Sequence, residues 1–97
     1  MKIGSGSGNK ETFSVIQGTE RVAHTMDDVA ANVLTEPALF CVKDDSVTGD
    51  IMVVLWGEPL ASKAVMDAQK ADSKNILVKK IYLTGTTILQ TDFFLLK

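Results

Sequence analysis

The 97-residue chain is 45% apolar and carries ten basic against twelve acidic side chains, for a net charge of −2, with one cysteine and one histidine. A chain of this length fits a single domain, since a core of that size buries only ~60–65% of the surface its unfolded form exposes, and Cys41 alone allows neither an internal disulfide nor a cysteine metal cluster. The charge balance offers no basic stripe to neutralise a phosphate backbone, and no apolar run reaches the ~20 residues of a membrane-spanning helix, so neither nucleic acid nor membrane is expected as a partner.

In chain order, Gly4-Ser5-Gly6-Ser7-Gly8-Asn9 has almost no side chain to pack. Residues 1–10 therefore read as a flexible arm, native or a cloning linker, ahead of a single β-rich domain over 11–97. Met1 to Asn9 also lack the apolar core of a signal peptide, which points to a cytoplasmic origin. From Thr12 to Ile16 the alternation of Phe13 and Val15 with Thr12 and Ser14 predicts a strand that Arg21 to His24 continues. Met26, Val29, Ala30, Val33 and Leu34 then fall on one helical stripe, with Thr25 as N-cap and Asp28 three residues on, which predicts a short helix over 25–34 stopped by Glu36-Pro37. Asp27 and Asp28 would sit in its first turn, where negative charge meets the positive end of the macrodipole.

Beyond the helix, apolar segments begin near Ala38, Asp50, Lys63, Ile76 and Ile88, at spacings of 12, 13, 13 and 12 residues. Such regularity predicts an antiparallel meander, a β-sandwich-like arrangement. The breaks at 44–49, 57–59, 72–75 and 84–87 are rich in Asp, Ser, Asn, Thr, Gly and Pro, which bond locally or take unusual backbone angles. Asp50 to Trp56 is apolar on both faces, as a central strand requires. Lys63 to Gln69 fits two readings. As a strand it points Ala64, Met66 and Ala68 one way and Lys63, Asp67 and Gln69 the other, with Val65 out of place. As a helix it aligns Ala61, Ala64, Val65, Ala68 and Ala71, and the fold becomes an α+β ferredoxin-like βαββαβ with an extra C-terminal strand.

Candidate chemistry is sparse. Asn9 separates Gly8 from Lys10 and Glu11 follows, so the arm is not a phosphate-binding loop. Asp44, Asp45 and Asp50 have the wrong spacing for an EF-hand and read as turn residues. His24 has no partner in the sequence pattern that would make it a proton-transfer group. Cys41, between Phe40 and Val42, reads as a small buried hydrophobe. Trp56 reads first as a core cap and second as an interface residue. No catalytic, metal-binding or cofactor-binding residue is assigned, no cofactor is expected, and the chain is not read as an enzyme.

Two stretches resemble the small β-sandwich virion proteins of tailed phages, in which a Thr-Gly-Asp turn feeds an apolar strand and later hairpins complete a sandwich. They are Val47-Thr48-Gly49-Asp50-Ile51-Met52-Val53-Val54 and Val78-Lys79-Lys80-Ile81-Tyr82-Leu83-Thr84-Gly85-Thr86-Thr87. A third stretch, Gly57 to Ala68, is similar to the strand-to-helix passage of bacterial microcompartment shell proteins. Both resemblances imply a structural protein that assembles with other chains. The expectation is a self-associating, homo-oligomeric component, a capsid-associated (decoration or cement) or other virion protein, assembled in the host cytoplasm and bound to itself and to a capsid or shell protein. Lys2, Ile3, Lys10, Trp56 and Phe93 are its candidate interface residues. The alternatives are a microcompartment-type shell protein and a small cytoplasmic protein-binding module, such as a phage-encoded inhibitor using an exposed aromatic patch.

Overall fold

Short apolar runs parted by turn residues become strands once their backbones can pair, and the computed structural model, which describes residues 20–97, bears this out. The chain passes through β1 (Arg21–Val22), β2 (Ala38–Val42), β3 (Asp50–Leu55), β4 (Ala64–Asp67), helix α1 (Ala68–Ser73), β5 (Leu77–Tyr82), a 3-10 turn (Gln90–Asp92) and β6 (Phe93–Leu96). Among the described residues these strands form one sheet in the order β1-β6-β2-β5-β3-β4, every pair antiparallel. Among the described residues the architecture is mainly β, as the sequence predicts, with one short helix that lies at Ala68–Ser73 and not at the predicted 25–34. The arm over 1–10, with Lys2, Ile3 and Lys10, and the strand over 12–16 lie outside the described residues.

The strands are not a meander. Of neighbours in the sheet only β3 and β4 are consecutive in the chain. Spacing along the sequence sets where strands fall, whereas burial sets which strands lie side by side. All five residues of β2 are buried, as are four of the six in β5. Strands apolar on both faces belong in the middle of a sheet, and β5 enters between β2 and β3. β3 is paired on both sides, with Ile51, Val53 and Val54 fully buried, but it stands one strand from the edge.

The helix predicted over 25–34 does not form, and the reason lies in β5. Ala38 and Leu39 pair with Val78 and Leu77, so the second half of β5 runs past the start of β2 with backbone groups to satisfy. The segment from His24 to Leu34 satisfies them. Leu34 N donates to Lys79 O (2.9 Å), His24 Nε2 accepts from Ile81 N (3.1 Å), and Leu83 N donates to Asp27 O (3.2 Å). A helix would spend these groups on itself. The local chemistry agrees, because Asp27 Oδ1 accepts from Val29 N at 3.0 Å, a turn that competes with helix.

The contested segment resolves into both readings in succession. Strand β4 ends at Asp67, whose carboxylate caps α1 by accepting from Lys70 N at 3.1 Å. Ala68 and Ala71 then pack into the core, and Asp72 Oδ2 accepts from Val42 N at 2.9 Å, which fastens the helix to β2. The core comprises Phe40, Val42, Ile51, Val53, Val78, Ile81, Phe93 and Leu95 on one face of the sheet, with Met26, Val47 and Ile88 from the loops. Leu39, Cys41, Val54, Lys80 and Tyr82 are buried outside that cluster. Two glycines permit the close turns around β3. Gly49 (φ 141°) and Gly85 (φ 97°) would each bring a Cβ within 3 Å of a neighbour, Thr87 Oγ1 at 2.6 Å and Met52 Cε at 2.7 Å respectively.

Candidate functional site

Of the polar residues singled out by the sequence, His24, Asp27 and Asp28 are occupied in holding a loop against the sheet. Lys80, fully buried in β5, donates to Asp27 Oδ1 (2.8 Å) and to Asn32 O (2.9 Å), and its ammonium lies 4.9 Å from the centre of the Tyr82 ring. Asn32 Nδ2 in turn donates to Asp27 Oδ2 at 2.8 Å. Asp28 accepts from the amide and hydroxyl of Thr84 at 3.0 and 2.6 Å. Asp27 and Asp28 are therefore not helix-dipole partners. They tie the 24–34 segment to the middle of β5 and to the turn that follows it. Their carboxyls are held below the usual range, Asp27 first by the bond from Lys80 and Asp28 first by the bond from Thr84.

His24 sits half-buried beside this group. Its Nε2 accepts from Ile81 N, which requires a neutral ring carrying its proton on Nδ1. Burial lowers its pKa, and the nearby Lys80 charge lowers it further. The lone pair a general base would use is thus committed to a backbone amide. Gln90 completes the arrangement, accepting from Met26 N (2.8 Å) and donating to His24 O (2.9 Å), at the side of a hollow of about 480 Å³ also lined by Arg21, Thr25, Phe93 and Phe94. Cys41 is fully buried in β2. Asp44 Oδ1 accepts from the amide and hydroxyl of Ser46, an ordinary local turn. Among the described residues no three His, Cys, Asp or Glu side chains gather as a metal site requires.

The surface is where groups remain uncommitted. Phe93, a sequence-predicted interface residue, is 7% exposed and stacks on Phe40 with ring centres 5.6 Å apart, so it belongs to the core. Trp56 reverses in the other direction. It lies just past β3, is 38% exposed and is absent from the core cluster, which leaves it available at the surface. The residue that sequence reasoning passed over is Val65. It is 56% exposed on β4, which ends the sheet on that side, and its neighbours Lys63, Ala64 and Asp67 are exposed as well. The signal was present as the one apolar residue on an otherwise polar strand face. Lys80 was missed in the same way, as a lysine inside a strand whose other buried members are apolar. Among the described residues the surface can present a strand edge that no other strand pairs, and separate apolar side chains, to another protein. Comparison with family models, with curated proteins and with solved structures finds no match to this chain.

Proposed function

We propose that the chain is a structural, self-associating protein, a small capsid-associated (decoration or cement) or other virion component whose partners are further copies of itself and a capsid protein. The observation that carries this reading is the exposed edge strand β4, which presents Val65 at 56% exposure beside backbone that no strand among the described residues pairs. An open strand edge offers its backbone groups for pairing with another chain. Val29, Leu83 and Leu89 are also more than half exposed, which adds apolar surface for a partner to cover. The virion setting rests on the resemblance of residues 47–54 and 78–87, which adjoin in the fold as the β3 and β5 regions, with Asp50 N donating to Thr87 Oγ1 and Met52 N to Thr86 Oγ1, both at 2.9 Å.

Light scattering of the full chain, alone and with phage capsids, tests the proposal. The expected result is a mass above 10.5 kDa that rises with concentration, or co-sedimentation with a capsid. A chain that stays at 10.5 kDa at its solubility limit and ignores capsids, but is captured by a host protein, would move it to the inhibitor class.

A further inference from the structure

We infer that two copies of the chain pair through β4, antiparallel and two-fold symmetric about Val65, so that Lys63 of each copy lies opposite Asp67 of the other. This deepens the self-association reading and rests on it.

Backbone direction is the first argument. Ala68 N donates to Gly49 O at 2.9 Å, and bonded pairs alternate along an antiparallel ladder. In the observed register Ile51–Met66 and Val53–Ala64 are then the bonded pairs, while Asp50–Asp67 and Met52–Val65 are not. The amide and carbonyl of Val65, the backbone of Lys63 and the amide of Asp67 consequently point away from β3, toward the open edge of the sheet. Among the described residues no strand meets them. Pairing Val65 with its own copy lets those groups bond across the two-fold axis, a strand addition that is self-complementary as an isologous interface must be.

Charge selects the register. Only odd-numbered residues of this stretch face outward, so the symmetric registers differ in steps of two. Centring on Val65 sets an ammonium against a carboxylate at both ends, whereas centring on Ala64 sets Lys63 against Val65, and centring on Met66 sets Val65 against Asp67. Asp67 also has no cation paired with it among the described residues. Its cross-strand neighbour is another carboxylate, Asp50, and neither has an ion pair among the described residues. Like charges directly opposite destabilise a sheet, and the second copy's Lys63 would relieve this pair. Both ends are already ordered for the task. Lys63 Nζ rests 4.4 Å from the centre of the Tyr82 ring, and Asp67 is held by its cap bond to Lys70 N.

The test uses the full chain in three forms. Lys63→Glu and Asp67→Lys should each weaken self-association about tenfold, since each puts like charges at both ends of the paired strands. Mixed in equal amounts, the two variants should recover it as a heterodimer, because opposite charges then meet at both ends. Asp67→Lys also removes the cap of α1, so a thermal melt by circular dichroism checks that it folds. Hydrogen exchange on the unaltered chain gives an independent reading, with the Val65 amide gaining protection as concentration rises. If the variants associate like the parent, if the mixture fails to recover, or if Val65 stays unprotected while the chain associates, β4 pairing is wrong and self-association through another surface survives. A monomer that binds capsids also overturns the pairing but keeps the virion reading, and a monomer that binds none overturns both.

Discussion

His24 holds the Ile81 amide only while its ring is neutral, so a single proton acts on the contact between the 24–34 segment and β5. Its pKa lies below the ordinary 6.5 through burial first and the Lys80 charge second, so the unfolded chain takes up the proton more readily. Stability is then complete above pH 6.5 and falls as the pH drops below it toward the folded value. The carboxyls of Asp27, Asp28, Asp44 and Asp92 are lowered from 3.8, chiefly by the hydrogen bonds they accept, and their contribution is lost in a separate window below that value. Urea melts across pH should show two declines. His24→Gln, which accepts but does not titrate, should remove the upper one; an unchanged upper decline would assign it elsewhere. The Lys80–Asp27 pair should be asymmetric. Asp27→Ala strands a fully buried ammonium, whereas Lys80→Met leaves a carboxylate that still reaches water, so the first should lower the melting temperature more. Cys41→Ala should cost about 1–2 kcal/mol, as deletion of a small buried group does, and an immediate native-state reaction of Cys41 with a thiol reagent would contradict its burial.

At the scale of elements, the apolar stripe from Met26 to Leu34 is a sound helix pattern that loses to a neighbour's needs. Met26 is buried and Leu34 packs against the core, but Val29 is 57% exposed and Asp27, Asn32 and Leu34 bond outward to β5. Tertiary hydrogen bonds outweigh the few tenths of a kcal/mol per residue by which such a short helix would gain or lose on propensity. β3 shows the opposite outcome, with local pattern and tertiary role in agreement. Val53 is fully buried between β4 and β5, so Val53→Asp places an unpaired charge in the core and should abolish cooperative folding. A soluble Val53→Asp chain with a sharp denaturant transition would falsify the interior placement of β3.

For the whole molecule, a chain with a large share of apolar residues and no internal disulfide gains stability by association. If copies pair, folding is linked to concentration, and the melting temperature should rise as the protein is concentrated. A melting temperature independent of concentration, together with a 10.5 kDa mass, would count against assembly.

Much of the strand content was legible from the sequence alone, because alternation and turn chemistry are local. The segments near Ala38, Asp50 and Ile76 became β2, β3 and β5, while the one near Ile88 began its strand only at Phe93, after the 3-10 turn. Cys41 was legible as buried from its apolar neighbours. The order of strands was not, since it depends on which fully apolar strands must share the middle of the sheet. Nor was the replacement of helix 25–34, which follows from the staggered register of β2 and β5, or the pairing of Asp27 with Lys80, 53 residues away. The placements of Phe93 in the core and Trp56 at the surface are of the same kind. Both are large aromatics beside apolar runs, and only the packing of distant elements decided which of them would meet water.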